Sequence, residues 1–249
     1  MSANNFENSL RELGVNDNSL SAEQRRALDG QGYLIFQDVI EPTLLRDMRT
    51  AFERIAGSTK SSTSDRKETG TRHPSDLLRH DPIFAAVCLQ PVVLAATHHI
   101  LRRAFRLSQI VGRDPLPGFG QQGLHADWIP RPRREPYQVV TSMWMLDDFT
   151  HDNGATRVVP GTHHEFKTPP KAQSDPASHH PDEIIVTASA GSVLLFNGHL
   201  WHSGTRNNSQ HSRRALQCVF WAREMFPPYA QPLCDQPETL PASIRCLLN

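Results

Sequence analysis

The chain lacks every feature that would commit it to a charged or membrane-bound partner. Basic and acidic residues balance at 26 each and the isoelectric point lies near 7.2, so no global field draws it to nucleic acid or anionic lipid. No apolar run approaches the roughly 18 to 20 residues needed to cross a bilayer. The densest is Val92-Val93-Leu94-Ala95-Ala96. There is no CxxC pair. Cys88, Cys218, Cys234 and Cys246 stand far apart, which argues against a disulfide framework and for free, packed thiols in a reducing compartment. The opening MSANNFENSLREL has neither the cationic start nor the apolar core of a secretory signal. The expectation is a cytoplasmic protein whose partner is a small molecule, with no nucleic acid and no membrane. What the chain holds in excess is histidine, 13 residues with doublets at His98-His99, His163-His164 and His179-His180. Only spacing separates metal ligands from solvated pairs.

A length of 249 residues suits one domain, residues 1–249, with a helical part over 1–104, a β core over 105–225 and a tail over 226–249. Ser21-Ala22-Glu23-Gln24 has the form of a capping box and starts a short helix that Gly30 and Gly32 stop. Tyr33-Leu34-Ile35-Phe36 reads as a strand. Pro42 then opens a helix whose stripe of Leu44, Leu45, Met48, Phe52 and Ile55 faces a core before Gly57 ends it. Residues 58–72 have no large apolar side chain and predict a mobile loop. From Pro74 to Ala104 the pattern is helical, interrupted at Pro82 and Pro91, and His98 and His99 fall at a helix end that suits a solvated pair. Beyond residue 105, short apolar runs alternate with Gly, Pro, Asn and Asp. Strands are expected at 107–111, 123–128, 138–146, 155–159, 184–188, 192–196, 200–203 and 213–221. The fold class is therefore mostly β with N-terminal helices, a double-stranded β-helix or cupin-like jelly roll. The Pro-rich stretch 167–182 reads as a long loop carrying solvated His179 and His180, and 244–248 as a short packed terminal element.

In GLHADWIP, His125 and Asp127 lie two apart on an expected strand, so the period of two places both on one face. The later segment GSVLLFNGHLWHSGT offers His199 or His202 as a third ligand. Two histidines and one carboxylate form the facial triad of open-sided iron(II) centres, with three octahedral positions left for other ligands.

GLHADW, MWMLDDFTHDNGATRVVPGTH and GSVLLFNGHLWHSGTRNNSQHSRRAL together resemble the phytanoyl-CoA dioxygenase family of Fe(II)/2-oxoglutarate oxygenases. The likeness runs from about Gln122 to Trp221, and SAEQRRALDGQGYLIFQDVI is similar to the family's opening. It maps the distal ligand to His202 in Trp201-His202-Ser203-Gly204, leaving His199 as a neighbour. It also implies an arginine that anchors the far carboxylate of 2-oxoglutarate, here Arg213. Strand alternation would set Arg213, Ala215, Gln217, Val219 and Trp221 on one face and Arg214, Leu216, Cys218 and Phe220 on the other. Gln122 and Thr205 are placed where the family supplies cosubstrate hydrogen bonds. Trp128 and Trp144 are candidates for the substrate pocket wall or the core, and Arg131 for its mouth.

The resemblance implies a dioxygenase that uses Fe(II), 2-oxoglutarate and O2 to hydroxylate or otherwise oxidise a C–H bond, releasing succinate and CO2. Residues 58–72 and 167–182 would serve as lids. Asp127 stands where halogenases of the superfamily carry a small residue, which favours hydroxylation. The competing readings are a zinc or manganese jelly-roll hydrolase or isomerase on the same ligands, and a non-catalytic binding protein.

Overall fold

A computed structural model describes residues 3–58, 69–128, 136–226, 233 and 242–248. Helices come first: α1 (Ala3–Glu12), α2 (Ala22–Gly30) and, after strand β1 (Tyr33–Phe36), α3 (Pro42–Ser58). The capping box forms as expected, the Ser21 hydroxyl accepting from Gln24 N and the Gln24 side chain accepting from Ser21 N. Strand β2 (Thr71–Arg72) precedes three helices broken by the two prolines: α4 (Leu77–His80), α5 (Ala85–Cys88) and α6 (Pro91–Leu101). The sheet strands follow: β3 (Phe105–Pro115), β4 (Val139–Met145), β5 (Thr156–Val159), β6 (Ile184–Ile185), β7 (Val193–Asn197), β8 (Trp201–Gly204) and β9 (Ala215–Ala222). A last helix, α7 (Ala242–Leu248), packs on α1 and β3.

The strands form two antiparallel sheets, one ordered β1-β7-β4-β9-β3-β2 and one ordered β6-β5-β8. The helices cover one face of the larger sheet, where Phe52, Leu94, Phe105, Trp144, Leu216 and Phe220 join one apolar cluster. Its other face meets the smaller sheet through Met143, Met145, Leu194, Phe196 and Ala215 against Ala155 and Val158. Every residue of β4 is buried, as a central strand covered on both faces requires. This is the expected jelly roll with N-terminal helices.

Three expectations need correction, and helix α1 at the polar start was not foreseen. Residues 123–128 are not a regular strand; only a single bridge, His125 to His202, ties them to β8. The stretch 58–72 ends in β2, which pairs Thr71 with Pro115 and Arg72 with Asp114, because Arg72 finds buried Asp114 and partly exposed Glu53 as partners. Residues 59–68 lie outside the described residues. The polar start forms α1, whose Phe6 and Leu10 are buried. Trp144 is fully buried on the helix side of β4, its Nε1 donating to Ser142 Oγ at 3.0 Å, and so is core rather than pocket wall. Cys88, Cys218 and Cys246 are free and buried, and Cys234 lies outside the described residues.

Trp144→Phe should lower the unfolding free energy by about 1 to 3 kcal/mol in urea denaturation, as core truncations do, while leaving metal affinity unchanged. An equal loss of both would put the ring in the site.

Candidate functional site

His125 and His202 come from segments far apart in sequence and are joined by a reciprocal backbone pair. His125 N donates to His202 O at 3.0 Å and His202 N to His125 O at 2.9 Å. Asp127 N donates to Gly198 O at 2.7 Å, which turns its carboxylate to the same point. The ligand atoms of His125, Asp127 and His202 all lie within 4.8 Å of one another, the one such group among the described residues.

Each imidazole is fixed from behind. His125 Nδ1 lies 3.0 Å from Gly123 O and His202 Nδ1 lies 2.9 Å from Leu200 O. A carbonyl only accepts, so both rings carry hydrogen on Nδ1 and, when neutral, turn an Nε2 lone pair toward Asp127. His202 Nε2 stands 3.4 Å from Asp127 Oδ1, and Thr141 Oγ1 donates to Asp127 Oδ2. Burial, helped by the like charge of His202, pushes His125 down to about 4, so it is neutral near pH 7. Burial alone would raise Asp127. The attraction and hydrogen bond of His202, the Thr141 hydroxyl and His125 outweigh it and hold the carboxyl well below its usual range. Once a metal displaces any proton from Nε2, two imidazole nitrogens and one carboxylate oxygen on one side of a point fit a divalent transition metal.

A cavity of about 40 Å³ opens beside the two histidines. Buried Arg213 lines it together with Gln122, Arg113, Met143, Thr156 and Gln217. The Arg213 guanidinium donates to Gly154 O at 2.8 Å and lies 4.2 Å from the centroid of the Phe149 ring. Arg214 points the other way, making a two-pronged pair with Asp147 at 2.8 Å per bond and reaching Glu53 at 3.2 Å. Gln122 Oε1 accepts from Gly204 N at 3.1 Å and Arg113 at 3.2 Å.

The structure does not bring Thr205 to this cavity. Its hydroxyl donates to Ala155 O at 2.8 Å and it lines a separate depression with Arg157, His179 and Arg206. Trp128 is half-buried against Trp221, and Arg131 lies outside the described residues. His199 stays out of the triad, its Nε2 accepting from Gln138 N at 3.3 Å. His98 pairs with Glu7, His99 with Asp29 and His179 with Glu183. The sequence reading missed Thr71, Arg113, Met143 and Gln217 in the cavity wall and Thr141 against Asp127. Alternation along 138–146 and 213–221 carried the signal for Thr141, Met143 and Gln217.

It also missed Arg157. Its side chain is 3% exposed, and Nε donates to Ser203 Oγ at 2.6 Å. Nη1 donates to Ser178 O and to Glu183, and Nη2 to Gln122 O. One guanidinium thus joins the neighbour of His202, the backbone three residues before His125 and the long loop. Leu124 N donating to Gln173 O at 2.8 Å pins the same loop. A Cβ on Gly123 would stand 2.2 Å from Ser174 O, so only glycine permits this approach.

Removing one partner of a buried pair leaves the other charge uncompensated, at about 3 to 5 kcal/mol. Arg157→Met should therefore destabilise the protein by that order and expose 171–183 to limited proteolysis. The added change Glu183→Gln should recover part of the loss; no recovery would mean that the backbone contacts dominate.

The phytanoyl-CoA dioxygenase (PhyH) family profile matches residues 28–215. An uncharacterized protein of Mycobacterium tuberculosis is 28% identical over 218 residues, 82% of this chain and 77% of that protein. The dioxygenase trt7 of Aspergillus terreus is 25% identical over 206 residues, 76% of this chain and 69% of that protein. HygX from Streptomyces hygroscopicus, solved with nickel, 2-oxoglutarate and hygromycin B bound, superposes with a TM-score of 0.69 at 20% identity. That alignment covers 82% of this chain and 88% of HygX.

Proposed function

This chain belongs to the phytanoyl-CoA dioxygenase family and is an iron- and 2-oxoglutarate-dependent dioxygenase; from that premise we propose that it oxidises an unactivated C–H bond of a small organic molecule. Hydroxylation is the simplest outcome. One oxygen atom of O2 enters the product and the other enters succinate, with carbon dioxide lost from 2-oxoglutarate. The observation that carries this reading is the convergence of His125, Asp127 and His202 beside a cavity whose wall includes buried Arg213. HygX, solved with hygromycin B alongside 2-oxoglutarate, supports a small-molecule substrate.

On this reading His125, His202 and Asp127 would hold the iron. Iron(II), 2-oxoglutarate and O2 together supply the oxidising power that the protein's own side chains lack. The chain's residues hold and orient. Gly123 O and Leu200 O keep both imidazoles in the ligating tautomer, and Thr141 orients the carboxylate. The Arg213 guanidinium pairs with the far carboxylate of 2-oxoglutarate, a planar fork meeting a planar acceptor in a buried wall. Gln122, fixed by Gly204 and Arg113, shapes the same chamber. A hydrolase or isomerase on this triad would have no use for a buried dicarboxylate anchor.

Under anaerobic conditions, iron(II) and 2-oxoglutarate should together give a weak visible charge-transfer band. The band should vanish in His125→Ala and His202→Ala and persist in His199→Ala. Its survival in both of the first two would remove them from the ligand set.

Leaving a buried charge unpaired typically costs about 2 to 5 kcal/mol. At about 1.4 kcal/mol per decade, Arg213→Ala should weaken 2-oxoglutarate binding by at least about 25-fold with iron affinity intact. Arg213→Lys should recover only part, because an ammonium lacks the fork. Arg214→Ala should bind 2-oxoglutarate like the parent protein. A normal affinity in Arg213→Ala, read by titrating the band, overturns the assignment.

A further inference from the structure

We infer that the Thr71 hydroxyl donates to the far carboxylate of 2-oxoglutarate opposite Arg213, which makes the two-residue strand β2 part of the cosubstrate site; this rests on the dioxygenase reading above.

The strand registers place Thr71 there. Strand β3 pairs with β9 so that Arg113 faces Ala215, and continuing that antiparallel register sets Asp114 level with Arg214 and Pro115 level with Arg213. Strand β2 extends both rows, with Thr71 opposite Pro115 and Arg72 opposite Asp114. Side chains directly opposite on neighbouring strands share a face, and successive ones alternate. One row, Arg72, Asp114 and Arg214, turns to the helices, where Glu53 of α3 accepts from Arg72 at 2.9 Å and from Arg214 at 3.2 Å. The other row, Thr71, Pro115 and Arg213, turns to the cavity, and all three residues line it. Leu116 N, donating to Gly70 O at 3.0 Å, fixes the start of β2. The ion pairs of the outer row thus lock the register that points Thr71 inward.

Thr71 Oγ1 is buried and has no hydrogen-bond partner among the described residues. Buried hydroxyls in folded proteins are nearly always bonded, so the acceptor comes from what fills the cavity. A carboxylate suits the position. It only accepts, and it offers about four lone-pair positions, more than one guanidinium fork occupies. Arg213 also commits a nitrogen, Nη2, to Gly154 O, which leaves room at the carboxylate for a donor from another strand. The two backbones lie two strand spacings apart, roughly 10 Å. Both side chains meet in the same cavity of about 40 Å³, so narrow that an occupant held by Arg213 also meets the opposite wall.

The test is titration of 2-oxoglutarate into anaerobic iron(II) protein, followed by the charge-transfer band. Thr71→Val, which keeps the β-branched shape and removes the hydroxyl, should raise the 2-oxoglutarate Kd at least about fivefold, in the range of one lost hydrogen bond. Thr71→Ser, which keeps the hydroxyl, should stay within about twofold of the parent. The probe 2-oxopentanoate has the same chain length with a methyl group in place of the far carboxylate, and should bind the parent and Thr71→Val equally. Without cosubstrate, Thr71→Val should melt no lower than the parent, because the hydroxyl it removes has no protein partner to lose. A 2-oxoglutarate Kd within about twofold of the parent in Thr71→Val overturns the inference. So does a loss in Thr71→Ser equal to that in Thr71→Val, or a parallel loss of 2-oxopentanoate with a lowered melting temperature, which would make the residue structural. A missing band in the parent protein instead overturns the dioxygenase reading beneath it.

Discussion

The site depends on two backbone hydrogen bonds, those that pair His125 with His202. The segment bearing His125 and Asp127 belongs to neither sheet, so its position is not inherited from a ladder of strand pairs. That one bridge, the bond from Asp127 N to Gly198 O and the contacts of the 171–183 loop hold it. Because β8 is paired along its length with β5, the bridge transfers the rigidity of the smaller sheet to a stretch that has little of its own. The side-chain carbonyl of Gln122, accepting from Gly204 N, adds a second rung just upstream.

Most sheet strands, β2 excepted, and the apolar stripe of α3 were legible because each has a fixed period, and the capping box of α2 because its spacing is fixed. The ligand pair His125 and Asp127 was legible for a partly wrong reason. Alternation put both on one face, yet the segment is bridged rather than stranded. Arg213 and Arg214 separated as alternation requires, one to the cavity and one to Asp147. Arg157, Arg113 and Thr71 were not legible. Each depends on which partner the tertiary fold delivers, and nothing in the local sequence distinguishes a buried arginine from a solvated one. Thr205 failed for a related reason: adjacent to a cavity in sequence, it turns its hydroxyl to Ala155 instead.

Two buried charges, Arg157 and Asp114, sit where segments are held without long ladders. Arg157 ties the loop to the triad segments, and Arg72 ties β2 to Asp114, whose carboxyl burial pushes up despite that partner. Such contacts stabilise little against an apolar alternative, but they are strict about geometry, since a misplaced partner leaves a buried charge exposed to no compensating group. The same β4–β9 pair presents apolar side chains to the helices and working side chains to the opposite layer. Stability and chemistry are thereby assigned to opposite faces of one sheet.

The hydroxyl of Thr141 has a consequence for denticity. By donating to Asp127 Oδ2 it occupies one carboxylate oxygen and leaves Oδ1, the atom nearest His202 Nε2, to face the cation. A carboxylate engaged in this way would offer a cation Oδ1 more readily than both oxygens together. On the proposed ligand set the described residues would contribute three donor atoms, which would leave room at a bound metal for exchangeable ligands. A threonine that touches neither cosubstrate nor metal would in this way set the number of sites at which the metal meets its reactants.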